Sequence, residues 1–155
     1  MVRPFVTRSN ALRRLIVTAT LATAIALVSA APAWARLKSP CELISAANAK
    51  HALGVTFAAS QPEKLGLYQA CRYVHGAKAV IVLDRRLTRA AFVKSAKKNP
   101  GPVVHVAGIG SDAYSAGGPT LLLWKNGTEV TVLVEGVSSP LRAEKKLGKI
   151  AAGRL

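Results

Sequence analysis

The chain has 155 residues, half of them apolar, with 22 Lys and Arg against seven Asp and Glu. That length holds one core of moderate size and excludes several independent domains. The acids are scattered singly, so no carboxylate pair stands out for general acid–base work, while the formal charge of +15 points to polyanionic partners.

The first 35 residues read as an export signal. Arg3, Arg8, Arg13 and Arg14 form a positive start, and Leu15 to Ala30 is apolar apart from small Thr and Ser. Ala31-Pro32-Ala33-Trp34-Ala35 then surrounds an A-x-A site. Cleavage is expected after Ala35. The alternative is a retained anchor, but the apolar run is short against the ~20 residues of a spanning helix. The residues around Arg13-Arg14 make a poor twin-arginine signal, so the general secretory route is expected. Loss of residues 1–35 removes four arginines and no acid, leaving a single domain, 36–155, with a net charge of +11. Its Lys and Arg are spread out, with short clusters at Lys97-Lys98 and Lys145-Lys146, so the expected field is diffuse and not a groove. Anionic envelope components are the expected partners, with no specific nucleic acid and no transmembrane anchor after cleavage.

Cys41 and Cys71 are the only cysteines. In an exported domain they most simply form one disulfide. Lipidation of Cys41 is disfavoured, because Leu37-Lys38-Ser39-Pro40 is not a lipobox. A metal site from Cys41, His51, Cys71 and His75 is disfavoured too. Zinc sites favour closely paired ligands on both arms, and an oxidising compartment consumes thiolates. No cofactor and no metal are expected.

Along the chain, Ser39-Pro40-Cys41-Glu42 reads as a helix start, with the helix running to about Leu53 and stopping at Gly54. Leu43, Ile44, Ala47 and His51 fall on its inward face, with Cys41 at the edge. A short strand is expected at Val55 to Ala58, then an exposed loop around Gln61-Pro62-Glu63-Lys64. Gln69 to His75 alternates as a strand with Cys71, Tyr73 and His75 on one side, and Ala79 to Leu83 reads as a buried strand. Thr88 caps a second helix with Phe92, Val93 and Ala96 inward, stopped by Asn99-Pro100-Gly101-Pro102. Strands are expected at Val103 to Ala107 and Asp112 to Ala116. Thr120 to Glu135 reads as a hairpin turning at Asn126-Gly127. Asn126-Gly127-Thr128 also matches a glycosylation sequon, but with a bacterial-type signal it reads as the turn alone. Ser139 caps a last helix from Pro140 to about Arg154, with Leu141, Leu147, Ile150, Ala151 and Leu155 as its apolar stripe. The expected fold class is α+β: a mostly antiparallel sheet packed with two to three helices and one disulfide.

Val104 to Tyr114 contains Gly108-Ile109-Gly110-Ser111-Asp112-Ala113, a loose match to the dinucleotide fingerprint. That site needs a helix immediately after the glycine turn, and none fits before Pro119. Gly108 and Gly110 are therefore expected to turn the chain sharply between two strands, where a Cβ would clash.

Pro40-Cys41-Glu42-Leu43-Ile44, Cys71-Arg72-Tyr73 and Val106 to Tyr114, followed by a strand pair and a final helix, resemble a group of small secreted or lipid-anchored envelope proteins common in actinobacteria and mostly of unknown function. The resemblance covers nearly all of 36–155. It implies paired cysteines, a structural role for the glycine motif and no catalytic residues to transfer. Tyr73 stands where that group often has Trp, and the missing lipobox implies a soluble cleaved form.

The expected function is a non-catalytic envelope-associated or extracellular binding domain. The alternative is a small exported hydrolase or metal-binding protein using His51, His75 and His105, with Ser111 and Asp112 close to His105 in sequence. Ser111 lacks the G-x-S-x-G context of a nucleophile elbow. A third reading, a basic effector on nucleic acid or foreign membranes, needs a clustered basic face.

Overall fold

The computed structural model describes residues 38–58 and 60–155. Residues 1–35, expected as an export signal, lie outside the described residues. Leu37–Leu155 is a compact unit that carries its whole sheet, core and disulfide within itself.

Seven strands form one sheet. They are β1 (Glu63–Leu65), β2 (Tyr68–His75), β3 (Lys78–Arg86), β4 (Val103–His105), β5 (Asp112–Ala116), β6 (Thr120–Lys125) and β7 (Thr128–Glu135). Their order is β1-β2-β3-β7-β6-β5-β4, and every neighbouring pair is antiparallel. Two meanders therefore meet at the centre, where β3 and β7 pair from Ala79↔Glu135 to Arg86↔Thr128. The β6–β7 hairpin turns on Asn126 (φ 50°) and Gly127 (φ 78°), two successive left-handed residues that match the twist of the flanking strands.

Four helices cover the sheet, where two to three were expected: α1 (Pro40–Leu43), α2 (Ala46–Leu53), α3 (Arg89–Ala96) and α4 (Pro140–Arg154). The extra helix comes from a break in the first one. Ile44 is extended, and Ser45 starts a new helix through a reciprocal cap: its hydroxyl accepts from the Asn48 amide, and the Asn48 side chain accepts from the Ser45 amide. The freed Ile44 carbonyl accepts from the Tyr73 hydroxyl at 2.6 Å. The break resets the helical face. Ala49 turns inward, and Ala47 and His51, expected inside, are exposed.

Alternation sorts the sheet residues into two layers. Cys71, Tyr73, Val80, Val82, Leu121, Leu123, Val130, Val132 and Val134 face α1, α2 and α4, forming the main core with Leu43, Ile44, Leu147 and Ala151. The opposite face is covered by α3, which packs Phe92 and Ala96 on Ala116 and Leu122. The Cys41–Cys71 disulfide bonds α1 to β2.

Other expectations shift locally. Val55 to Ala58 is not a strand; the edge strand is instead β1, in the segment expected as loop. Phe57 anchors the irregular stretch by packing edge-on to Tyr73. β4 ends at His105, two residues early, because Val106 turns its side chain into the core. His75 shares the side of Cys71 and Tyr73 as expected, edge-on to Phe57, although it is exposed at the strand end, and Leu141 is 38% exposed at the start of α4.

Candidate basic face on the last helix

α4 has an inner face of small residues. Ala143, Leu147, Gly148, Ala151 and Ala152 are buried against the sheet. Gly148 sets the approach, since a Cβ there would lie 2.5 Å from a Leu121 methyl. Side chains from other elements tie down the helix end: Lys125 Nζ donates to the Ala152 carbonyl at 2.7 Å, and Asn126 Nδ2 to the Leu155 carbonyl at 2.8 Å. Arg154 donates in turn to the Glu42 and Leu43 carbonyls of α1.

The outer face is cationic. Arg142, Lys145, Lys146 and Lys149 are all exposed, and spacing of three, four and seven residues gathers them within an arc of about 100°. The helix's one acid, Glu144, faces the opposite way and is fully buried. Exposed cations also occur on other elements, among them Lys50, Lys64, Arg72, Lys94, Lys97 and Lys98, but the outer face of α4 carries four with no acid among them. On the α3 side charge is partly offset, because Arg85 pairs with Glu129 at 2.8 Å and Arg89 with Asp112.

An open cleft of about 510 Å³ adjoins the basic stripe, between the end of α2 and the start of α4. Leu53, Lys78, Ser138, Ser139, Arg142 and Lys146 line it. Lys78 is on the helix-covered face, in phase with Val80. Lys146 Nζ bonds the His51 carbonyl at 3.0 Å, bracing α2 against α4. Ser139 precedes the helix as expected, but its side chain makes no capping hydrogen bond.

Two buried carboxylates have no hydrogen-bond partner, Asp84 and Glu144. Burial pushes Asp84 up to about 6 and Glu144 up to about 7. The nearby Val134 amide pulls Glu144 slightly down, but its hydrogen bond goes to the Pro119 carbonyl at 3.2 Å. The two acids form no pair: Asp84 lies opposite Val130 on β7, and Glu144 lies beside Val134, further along that strand.

The structure does not gather the histidines. His51 is exposed on α2, His75 ends β2, and His105 is exposed on the far edge strand β4, edge-on to Tyr114. Asp112 is taken by Arg89, whose hydrogen bond holds its carboxyl below the usual range. The Ser111 amide donates to the Trp124 carbonyl. Both cysteine sulfurs are consumed in the disulfide, and no group of three or more His, Cys, Asp or Glu suited to a metal occurs among the described residues.

The glycine motif joins β4 to β5 without a helix. Gly108 (φ 78°) and Gly110 (φ 63°) are both left-handed, but only Gly110 is also crowded: a Cβ there would lie 2.8 Å from the Trp124 carbonyl oxygen.

Sequence reading missed the α4 stripe because it weighed contiguous clusters. The signal was the helical spacing of Arg142, Lys145, Lys146 and Lys149. No protein-family model, curated protein or solved structure matches this chain.

Proposed function

We propose that this chain is an exported, non-catalytic binding domain that holds an anionic envelope polymer along the outer face of α4. The observation that carries this reading is the exposed four-cation stripe, with Glu144 turned inward beneath it. Such a face attracts repeated phosphate or carboxylate groups through a screened field and needs no shaped catalytic pocket. Lys50 on α2 and Lys78 at the cleft extend the positive surface beside the stripe. The wide separation of His51, His75 and His105 favours binding over histidine-based hydrolysis.

The test uses the oxidised 36–155 protein and polyglycerol phosphate as the probe, with neutral dextran as control. Changing Arg142, Lys145, Lys146 and Lys149 to Gln should weaken polymer binding by about tenfold or more. Changing Lys94, Lys97 and Lys98 to Gln, on the α3 side, should weaken it less than about threefold. Equal losses from the two sets would contradict the proposal.

A further inference from the structure

The β1–β2 hairpin tip is apolar and exposed. Leu65 is 50% exposed and Leu67, across Gly66, is 84% exposed. The tip is held in place by the β1–β2 register, which closes at Leu65↔Tyr68, and by Arg85, whose guanidinium lies 4.6 Å from the Tyr68 ring centre. Two leucines on one tight turn thus present an apolar tip to water.

The register shows what shares that end of the sheet. Gln69 pairs with Asp84, Arg86 with Thr128, and Lys125 with Thr128, so the tip and the Asn126-Gly127 turn lie at the same end. The end of α4 is bonded to that turn, and Lys38 Nζ bonds the Arg154 carbonyl at 2.8 Å. The chain therefore enters the compact unit at the end that carries Leu65 and Leu67. In the sequence, Lys38 follows the apolar stretch Leu15 to Ala30 after seven residues. So short a connection in sequence to an apolar stretch favours a lipid surface over a protein as the partner of this end. Lys38, Lys64 and Arg86 are exposed around it, with Glu63 the exposed acid beside the tip.

From this placement we infer that the hairpin tip is a lipid-docking element: Leu65 and Leu67 enter the interfacial region of an anionic bilayer while Lys38 and Lys64 meet its headgroups. A shallow apolar insertion combined with basic flanks is a general means of peripheral membrane binding. The surface is separate from the α4 stripe, so either reading stands if the other fails.

Flotation of the 36–155 protein with vesicles tests it. Binding is expected to phosphatidylcholine vesicles containing about 30% phosphatidylglycerol, to weaken as salt is raised, and to be much weaker with phosphatidylcholine alone. The Leu65→Ser/Leu67→Ser double variant should lose about 30-fold in partitioning, with unchanged melting and unchanged polyglycerol phosphate binding. Indole fluorescence of a Leu67→Trp variant should shift to the blue on the anionic vesicles. The proposal is overturned if the double variant floats like the parent, if the parent does not float, or if the tip instead mediates a concentration-dependent dimer that the double variant abolishes.

Discussion

Glu144 is the residue whose chemistry is furthest from ordinary. Its carboxyl goes from 4.5 when unfolded to about 7 when folded, because burial penalises the charge. Below pH 4.5 both states are protonated and no penalty exists. Between 4.5 and 7 the unfolded chain ionises first, so stability falls as pH rises, by about 3 kcal/mol in all; above 7 the loss is constant. Asp84 acts in the same direction between 3.8 and about 6. Asp112, held low by Arg89, acts oppositely and loses its stabilisation in acid as pH falls through its lowered value. Glu144→Gln is therefore expected to raise the melting temperature at pH 8 and leave it nearly unchanged at pH 4; an equal effect at both would remove ionisation as the cause. Gly148 makes a second point at this scale. Gly148→Val places a branched side chain against Leu121, Ile109 and Leu123, and should cost about 1–3 kcal/mol in a denaturant titration. Neither residue was singled out from the sequence. A lone acid on an amphipathic helix reads as solvated, and a glycine inside the helix shows its purpose only once its neighbours across the core are known.

At the scale of elements, the sequence was most legible where local chemistry marks an end. Asn126-Gly127 located the β6–β7 hairpin, Pro140 opened α4, and Asn99 to Pro102 closed the helix that Thr88 caps. It was least legible where two local codes overlapped. Ser45 and Asn48 sit inside an otherwise continuous helical pattern, and their reciprocal cap broke it, turning His51 outward. The central β3–β7 pairing was also hidden, since neither strand carries a local sign of so distant a partner. The disulfide acts between elements, joining the short α1 to β2 across a separation of 30 residues. Replacing Cys41 and Cys71 with Ala should cost about 3–4 kcal/mol by denaturant unfolding. A short helix such as α1 has little stability of its own, so hydrogen exchange should show its amides opening first in that variant.

For the whole molecule, the unequal placement of charge matters more than its amount. Four of the seven acids are buried, and two of those, Glu129 and Asp112, pair with Arg85 and Arg89 near α3, while the outer face of α4 has four cations and no acid. Composition showed the excess, but only the fold shows that the outer face of α4 carries cations without acids. The most direct test is the salt dependence of polyglycerol phosphate binding, measured for the parent and for the variant with Gln at 142, 145, 146 and 149. The account predicts that log affinity falls linearly with log salt for the parent, and that the variant has both a lower affinity and a clearly shallower slope, because fewer counterions are released. A parent affinity insensitive to salt, or a variant with the parent's slope, would contradict it.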